Sequence, residues 1–462
     1  MGNKMAGLKG KRISVLGAAK SGIDAANLCV KYGAKVLLSD NKPEQELRQV
    51  IGKVNPEVYL EFGGHSNKLF ECDIMIVSPG VPACSEVVVN AGKHGVEVMA
   101  ELEFAWRLIS PAYAVAITGT NGKTTTTTLI DRIFRDAINP GQSKNMGYDN
   151  VLCAGNIGTP LSGIVEQVTE STVLIIEVSS YQLELCSTFC PKVGVLMNLT
   201  PDHLKRHGTM DRYAEIKQKV FDNHKSNGKH FAVLNYDDQY CRRVADKIDS
   251  EVLFFSCETP QKQGLWYSDS KAVGIFRDKQ YEFNLSPVIP GMHNVSNILA
   301  ATSVGLALGF DEKVVSKTVN TFEGVEHRIE FVRELHGVKY YNDSKATNVD
   351  SVVVALESFK KNVVLIMGGQ DKGSPYKPLM GLIKNRVKSV LLIGEAARII
   401  SGELGHIVPT VMCKTLTGAV EYAHVNALPG DVVLLSPACA SFDQFSDYEH
   451  RGKVFKELVN RL

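Results

Sequence analysis

Residues 114–128 read AVAITGTNGKTTTTT, and this stretch decides the class of fold. Four apolar residues of a strand run into a glycine turn, and a lysine followed by threonines then opens a helix. Backbone N–H groups of such a turn converge on phosphate oxygens, and the helix N-terminus adds partial positive charge. Lys123 can span the terminal phosphates, and the Thr124 hydroxyl can bind Mg²⁺. The stretch therefore predicts a nucleoside triphosphate site, against the alternative of an ordinary turn between a strand and a helix.

The composition is that of an ordinary globular enzyme. At about 150 residues per domain, the 462 residues suggest about three domains. Apolar residues make up 44% and charged residues 22%, and the formal net charge of +1 argues against a basic field for nucleic acid or a membrane surface. No apolar run reaches about 18 residues, and the first residues, MGNKMAGLKGKR, lack a signal-peptide core. We expect a cytoplasmic protein whose ten scattered cysteines, which lack zinc spacing, are reduced.

Strands and helices alternate along almost the whole chain, which predicts an α/β protein with parallel sheets. In the first unit, strand 12–16 leads into the turn 17–22, and strand 34–40 ends in Asp40. This order is typical of a dinucleotide-binding βαβ unit, but Ala19 replaces the central glycine of the fingerprint. A nicotinamide cofactor and a different phosphate-bearing ligand therefore both remain open at this turn.

A second unit surrounds the phosphate loop. Strand 173–177 ends in Glu177, and a carboxylate that ends a strand beside such a loop can bind magnesium directly or through water. Strand 193–198 precedes His203, which is either a ligand at the same edge of the sheet or an ordinary satisfied residue. Lys217 follows on a helix expected to lie against the site, although nothing in the composition separates it from a solvated lysine.

A third α/β unit begins near residue 326. Its strands 338–342, 363–367 and 432–435 are each followed by a polar turn, and open α/β sheets bind ligands at that edge. Lysines in these turns favour an anionic substrate.

Two asparagines that precede this unit and an arginine near its start are candidate site residues. Asn294 and Asn297 have the i, i+3 spacing to share one face of a helix, with helix capping as the alternative for Asn294. Arg328 lies near the junction of the second and third units, from which we expect it to reach the triphosphate.

Eight motifs together give a specific resemblance: GTNGKTTT, EVSSYQLE, NLTPDHLKRHGTM, GMHNVSNILAA, HRIEFV, YYNDSKATN, GGQDKG and SPACASFDQF. In this order they resemble the Mur ligase family over essentially the whole chain, and the last four are most similar to the branch that adds D-glutamate. The resemblance implies a Rossmann-like N-terminal domain for uridine diphosphate over residues 1–104. A central P-loop ATPase α/β domain would follow over residues 105–325, and a Rossmann-like C-terminal domain for the incoming amino acid over residues 326–462. By this resemblance the turn 17–22, which carries the incomplete dinucleotide fingerprint, would bind UDP.

The resemblance also implies a role for each candidate site residue. The expected catalytic residues are Lys123, Glu177, His203, Lys217 and Lys345. The expected ATP contacts are Gly119, Thr120, Asn121, Gly122, Lys123, Thr124, Thr125, Asn294, Asn297, Arg328, Asp343 and Lys345. The expected contacts of the UDP-linked substrate are Lys20, Ser21, Asp40, Asn41, Gly80, Asn156 and His203. The expected D-glutamate contacts are Thr347, Lys372, Ser441, Phe442 and Tyr448, the last in place of a more familiar phenylalanine.

The implied cofactors are ATP, two Mg²⁺ ions and a carbamate formed from CO₂ on Lys217, since an unmodified lysine has the wrong charge to face a metal. Thr124 and Glu177 would bind one ion, and His203 and Lys217 the other. The implied reaction activates UDP-N-acetylmuramoyl-L-alanine as an acyl phosphate, which the amine of D-glutamate then attacks, in peptidoglycan precursor synthesis. We expect these small molecules to be the partners of a monomer that binds neither nucleic acid nor a membrane.

Three alternatives compete with this interpretation. Folylpolyglutamate synthase and other Mur ligases share the phosphate loop, but residues 343–348, Lys372 and the pair Ser441-Phe442 favour the D-glutamate branch. An arginine-containing motif for a diamino acid is not seen in this sequence region. A regulatory nucleotide switch would not need two further ligand-sized α/β units. An NAD-dependent oxidoreductase would bind its cofactor at the turn 17–22.

Overall fold

The computed structural model describes residues 5–138, 147–225, 230–371, 373 and 375–462. Within these residues the strands form three β-sheets, which follow one another along the chain. Contacts divide the chain into two compact units, Met1–Leu285 with Ser296–Val319, and Ser286–Val295 with Asn320–Leu462. The first unit contains the first two sheets, and the second unit contains the third.

The first sheet is parallel, in the strand order β3-β2-β1-β4-β5 that is typical of a Rossmann-like domain. Ile13 and Val15 belong to one core cluster and Leu16 to another, because helices cover both faces of such a sheet. A Cβ on Gly22 would collide with the carbonyl oxygen of Gly17, so the turn after β1 requires this glycine. The elements are β1 (Arg12–Leu16), α1 (Lys20–Lys31), β2 (Lys35–Asp40), α2 (Glu44–Ile51), β3 (Tyr59–Phe62), β4 (Ile74–Val77), α3 (Glu86–Lys93), β5 (Glu97–Ala100) and α4 (Glu101–Leu108), with a 3₁₀ turn at Asn67–Phe70.

The second sheet has the strand order β14-β13-β12-β11-β10-β9-β6-β8-β7. It is parallel from β7 to β12 and ends in an antiparallel meander of β12, β13 and β14. The strands are β6 (Tyr113–Thr118), β7 (Asn150–Gly155), β8 (Thr172–Glu177), β9 (Val193–Leu196), β10 (Phe231–Asn235), β11 (Glu251–Ser256), β12 (Gly264–Ser268), β13 (Lys271–Phe276) and β14 (Lys279–Asn284). The helices are α5 (Lys123–Ile138), α6 (Ser180–Leu183), α7 (Leu204–His207), α8 (Met210–Gln218), α9 (Gln239–Ala245), α10 (Met292–Ala307) and α11 (Glu312–Asn320), with 3₁₀ turns at Leu161–Gly163 and Val165–Gln167.

The third sheet has the order β15-β16-β20-β17-β18-β19, and only the edge pair of β15 and β16 is antiparallel among its described strands. Two core clusters cover its faces. Its strands are β15 (Glu330–Leu335), β16 (Val338–Asn342), β17 (Val363–Gly368), β18 (Val387–Ile393), β19 (Thr410–Lys414) and β20 (Val432–Leu435). Its helices are α12 (Val349–Glu357), α13 (Met380–Arg386), α14 (Ala397–Leu404), α15 (Leu416–Asn426) and α16 (Tyr448–Arg461), with a 3₁₀ turn at Lys377–Leu379.

The predicted α/β class with parallel sheets is confirmed. Predicted strands 338–342 and 432–435 match β16 and β20 residue for residue. The domain limits at 104 and 325 stay predictions, and the first of them falls inside α4. All ten cysteines are free thiols. Among the described residues, no helix combines the length and apolar character that crossing a lipid bilayer requires.

Candidate active site

The phosphate loop connects β6, which ends at Thr118, to α5, which begins at Lys123. Gly119 and Gly122 have φ angles of 142° and 83°, a region in which other residues are strained. A Cβ on Gly119 would also lie 2.9 Å from the Cβ of Met197. The two glycines therefore let the chain turn tightly and deliver the N-terminus of α5, whose first N–H groups have no partner within the helix.

Backbone and side-chain groups of the neighbouring segments hold this loop in place. The N–H of Thr120 donates to the carbonyl oxygen of Asn198 at 2.9 Å, and the N–H of Asn121 donates to Oδ1 of the same residue at 2.8 Å. The hydroxyl groups of Thr120 and Tyr213 lie 3.2 Å apart. The N–H groups of Thr120 and Asn121 thus already have protein acceptors and are not the donors best suited to phosphate.

Two lysine side chains meet at one carbonyl oxygen of the loop. Lys123 Nζ donates to the oxygen of Gly119 at 2.9 Å and to that of Thr120 at 2.7 Å. Lys217 Nζ, brought in by α8, donates to the same Gly119 oxygen at 2.9 Å and to Thr118 Oγ1 at 3.2 Å. Burial lowers the pKa of Lys217 well below its usual value, and the charge of Lys123 lowers it further. These effects favour a neutral amine at Lys217.

Glu177 ends β8 and is buried, with 1% of its surface exposed. Its Oε1 accepts a hydrogen bond from Asn156 Nδ2 at 2.8 Å, whereas its Oε2 is buried with no hydrogen-bond partner. An unpaired buried carboxylate oxygen is costly unless a ligand compensates it, and a hard cation such as Mg²⁺ prefers oxygen ligands. Glu177 and the buried hydroxyl-bearing Thr124 therefore fit a magnesium site.

His203, a predicted ligand of the second metal ion, is more exposed than Glu177 and Thr124. His203 has a left-handed backbone with φ of 53°, and 46% of its side chain is exposed. Its Nε2 lies 3.3 Å from Oδ2 of Asp202, and its ring centroid lies 4.8 Å from that of Tyr181. In the described part of the chain, no group of three or more His, Cys, Asp or Glu side chains is arranged to hold a metal ion. The second metal site therefore stays a prediction.

Asn297 lies against the phosphate loop. Its Oδ1 accepts a hydrogen bond from the Thr126 hydroxyl at 3.4 Å, and a Cβ on Gly122 would collide with this oxygen. Asn294 belongs to the other compact unit, and its Nδ2 donates to the carbonyl oxygen of Pro290 at 2.6 Å. Because α10 begins at Met292, the capping alternative for Asn294 is wrong, and the shared role of the two asparagines stays a prediction.

The first sheet carries a cavity of about 580 Å³ at the carboxyl ends of its strands. Four of the predicted UDP contacts line it: Ser21, Asp40, Asn41 and Gly80. Lys20 is not among the lining residues, and its Nζ donates instead to the carbonyl oxygen of Gly158 at 2.7 Å, in the loop that also carries Asn156.

Alongside Ser78, the cavity has three polar lining residues that were not predicted from the sequence: Lys42, His65 and Ser85. Ser78 Oγ donates to the carbonyl oxygen of Gly17 at 2.9 Å, which fixes the turn after β1. His65 follows β3, a strand whose residues are exposed or half-exposed. Such a strand lacks the apolar run by which the other strands could be identified, so no pattern in the sequence pointed to His65.

In the second unit, Asp343 has a buried carboxyl group and directly follows β16, at the start of the turn. Its Oδ2 accepts a hydrogen bond from Ser436 Oγ at 2.7 Å, and its Oδ1 accepts one from the Ile329 N–H at 3.2 Å. Burial raises the pKa of Asp343 to about 7, although the Ser436 bond and the charge of Arg328 oppose the shift. Lys345 Nζ lies 5.9 Å from the centre of the Tyr448 ring.

The predicted D-glutamate contacts differ in exposure. Ser441 is buried, whereas Phe442 has 67% of its surface exposed. Tyr448 begins α16, and its carbonyl oxygen accepts a hydrogen bond from Ser344 Oγ at 2.8 Å. The N–H of Thr347 donates to the carbonyl oxygen of Lys345. Lys372 lies outside the described residues, so its role stays a prediction.

Arg451 is a further residue that sequence analysis missed. It is 0% exposed, and its guanidinium donates to Ser344 Oγ at 3.0 Å, to the Ser344 carbonyl oxygen at 2.8 Å and to the carbonyl oxygens of Cys439 and Ala440 at 3.2–3.3 Å. It thereby joins the turns that carry Lys345 and Ser441. In the sequence it stands among the charged residues of α16, where an arginine is expected to be solvated.

Comparison with known proteins agrees with this arrangement of sheets and loops. A model of the Mur ligase middle domain matches residues 117–305, and a model of the Mur ligase glutamate ligase domain matches residues 327–439. The chain belongs to the Mur ligase family. Within that family, residues 12–87 match the MurD N-terminal domain.

Individual relatives carry one shared name, UDP-N-acetylmuramoylalanine--D-glutamate ligase. The protein of that name from Koribacter versatilis is 43% identical, and that from Caldicellulosiruptor bescii is 39% identical, each over 98% of both chains. Solved structures with the same fold include a pseudomurein peptide ligase type C from Methanothermus fervidus, at 19% identity and a TM-score of 0.54 over 98% of this chain and 99% of that one. The UDP-N-acetylmuramate-alanine ligase MurC from Thermotoga maritima has 18% identity and the same TM-score and coverage.

Proposed function

We propose that this chain is a ligase that joins the amino group of D-glutamate to the carboxyl group of UDP-N-acetylmuramoyl-L-alanine with the hydrolysis of ATP to ADP and phosphate. The observation that carries the proposal is the 39–43% identity, over nearly the full chain, to relatives named for this reaction. The product is a precursor of peptidoglycan, which places the enzyme in cell-wall biogenesis and hence in cell shape and division. ATP and nucleotide-linked sugars favour a cytoplasmic location, and a monomer suffices for the reaction.

The three sheets suggest how the substrates are divided. We assign the cavity of the first sheet, within residues 1–104, to the uridine diphosphate group, because its Asp40 and backbone turns suit ribose and phosphate. The phosphate loop of residues 105–325 would hold ATP. The polar turns of residues 326–462 would hold D-glutamate, whose two carboxylates suit the lysines and N–H groups there.

The chemistry requires the carboxyl group to become a better acyl donor, since a carboxylate oxygen is a very poor leaving group. Attack of the carboxylate on the γ-phosphorus of ATP breaks the bond to ADP and gives an acyl phosphate. The amine of D-glutamate then attacks the acyl carbon, a proton leaves the nitrogen, and inorganic phosphate departs. Lys123 and Arg328 would offset the repulsion between the anions in the first step.

Residues in and beside the phosphate loop suit the binding of magnesium and the carbamylation of a lysine. We propose that Thr124 and Glu177 hold one Mg²⁺ ion and that His203 and Lys217 contribute to a second. When bound, these ions screen the negative charges that approach one another. Lys217 suits carbamylation because a buried amine with a lowered pKa is nucleophilic: its nitrogen bonds to the carbon of CO₂ and loses a proton, which leaves an anionic carbamate.

An amino-acid panel tests the proposal. Purified protein is incubated with UDP-N-acetylmuramoyl-L-alanine, ATP and Mg²⁺, and D-glutamate, L-glutamate, L-lysine or meso-diaminopimelate is added in separate reactions. Amide product and ADP are expected with D-glutamate alone, and ¹⁸O from the acyl carboxylate is expected in the released phosphate. Product with a diamino acid would assign another ligase specificity, and ATP hydrolysis without either substrate would favour a nucleotide switch. Binding of NAD at the turn 17–22 would favour the oxidoreductase.

A further inference from the structure

The Arg206–Glu184 ion pair lies between the first two sheets, and the proposed reaction gives neither residue a role. Arg206 stands on α7, three residues after His203, and Glu184 directly follows α6. The guanidinium meets the carboxylate through two bonds, from Nε to Oε1 at 2.8 Å and from Nη2 to Oε2 at 2.6 Å. Its central carbon lies 4.0 Å from the centre of the Tyr181 ring. Only 12% and 9% of the two side chains are exposed, so water screens this bidentate pair weakly.

The same two side chains hold the turn that follows β4. Arg206 Nη1 donates to the carbonyl oxygen of Pro79 at 2.8 Å, and Nη2 donates to that of Val81 at 2.9 Å. Glu184 Oε2 accepts a hydrogen bond from the N–H of Ala83 at 3.2 Å. Pro79 and Val81 line the cavity of the first sheet. One wall of that cavity is therefore fixed by side chains that the second sheet supplies.

Contacts continue from this pair to the phosphate loop. His207 Nδ1 lies 3.5 Å from Glu184 Oε1, and the His207 ring stacks on Tyr213 with centroids 5.2 Å apart. The Tyr213 hydroxyl lies 3.2 Å from Thr120 Oγ1. The chain of contacts thus joins the cavity wall to the loop that would hold ATP.

We propose that Arg206 and Glu184 are positioning residues for the nucleotide part of the UDP-linked substrate: they fix the 79–83 turn against the segment that carries His203. The substrate identity rests on the proposed function. The guanidinium is suited to this task because its planar fork can bind a carboxylate and two carbonyl oxygens at once. A lysine keeps the charge but not the fork, so it cannot hold all these acceptors together.

The test compares Arg206→Lys and Glu184→Gln with the wild-type enzyme. Arg212→Lys is the matched control, since Arg212 forms an exposed pair with Glu215 at 3.1 Å on the neighbouring helix. KM values are measured for UDP-N-acetylmuramoyl-L-alanine, ATP and D-glutamate, and the Kd of UDP is measured by calorimetry. We expect KM for the UDP-linked substrate and the Kd of UDP to rise about 10-fold in both variants, or about 1.4 kcal/mol. KM for ATP and D-glutamate should change less than about twofold, and Arg212→Lys should match the wild type.

The outcomes separate positioning from general stability. One outcome is a lower kcat in the variants while all KM values and the UDP affinity stay unchanged. That result would mean that the ion pair only keeps the enzyme folded, and it would overturn the inference. Equal rises in all three KM values would overturn it too. The double variant should lose little more than either single variant, because both changes remove one interaction. If the wild type forms no amide but the variants still bind UDP more weakly, the proposed function fails and the positioning role stands. If product forms and UDP binding is unaffected, the positioning role fails alone.

Discussion

Replacement of Arg451 by methionine tests how the turns of the third sheet are held. Methionine keeps much of the apolar stem and removes the guanidinium, which donates five hydrogen bonds among the described residues. At the lower limit of about 1.5 kcal/mol for each bond from a charged donor, these bonds contribute about 7.5 kcal/mol. Burial lowers the pKa of Arg451 well below its usual range, to about 10, and this opposes the gain by about 3 kcal/mol. We therefore expect Arg451→Met to destabilise the second compact unit by about 4 to 5 kcal/mol.

The assay must report on that unit alone. Both tryptophans, Trp106 and Trp266, lie in the first unit, so their fluorescence during urea unfolding serves as an internal control that should not change. Hydrogen exchange of peptides from β16 and β20, followed by mass spectrometry, measures the opening free energy of the third sheet. Arg398→Met, at an exposed position of α14, is the matched control for loss of an arginine.

The same variant has a functional consequence. Arg451 binds the carbonyl oxygens of Ser344, Cys439 and Ala440, and these residues adjoin Lys345 and Ser441, which we propose as substrate contacts. KM for D-glutamate should rise at least about 10-fold while KM for the UDP-linked substrate stays constant. A destabilisation below about 1 kcal/mol, together with an unchanged KM for D-glutamate, would refute the reasoning that Arg451 joins the two turns.

Three further predictions concern the first unit. Lys123→Ala should abolish turnover while calorimetry finds UDP-substrate affinity within about twofold of the wild type; a large loss of that affinity would contradict the assignment of Lys123 to ATP. Lys217→Ala should lose activity and recover part of it when a small carboxylic acid such as acetate or formate is added, and no recovery at any concentration would contradict the carbamate. Burial raises the pKa of Glu101 from 4.5 to about 7, so the folded chain keeps a proton that the unfolded chain releases above about pH 4.5. Stability should therefore fall by up to about 1.4 kcal/mol per pH unit between pH 4.5 and 7, and Glu101→Gln should flatten this slope in urea titrations read by tryptophan fluorescence; an unchanged slope would mean that Glu101 is ionised in the fold.

The strands that the sequence predicts well are those buried on both faces. β1, β16 and β20 are short apolar runs bounded by turn residues, and their ends were predicted to the residue. β3 is exposed or half-exposed, so no apolar run distinguishes it, and the cavity residue His65 that follows it was missed. The limits of sequence prediction here follow from burial, because an apolar run marks only the strands that the core covers.

Some residues of the candidate site could also be predicted from the sequence, whereas others could not. Gly119, Gly122 and Lys123 follow from local geometry, since a tight turn into a helix N-terminus needs those residue types in that order. Arg206 and Arg451 were not identifiable, because an arginine among other charged residues is normally solvated. Each acquires its role from carbonyl groups that are distant in the chain.

The sequence by itself determined the phosphate loop, the alternation of strands and helices, and the family, because each of these is written in residues that are neighbours along the chain. The tertiary structure alone decided that Lys217 donates to the same carbonyl oxygen as Lys123, that Glu177 keeps a buried carboxylate oxygen without a partner, and that buried arginines hold the turns. The physical reason is that burial and hydrogen bonding depend on which groups meet in space, and that is set only when the sheets and their covering helices have packed.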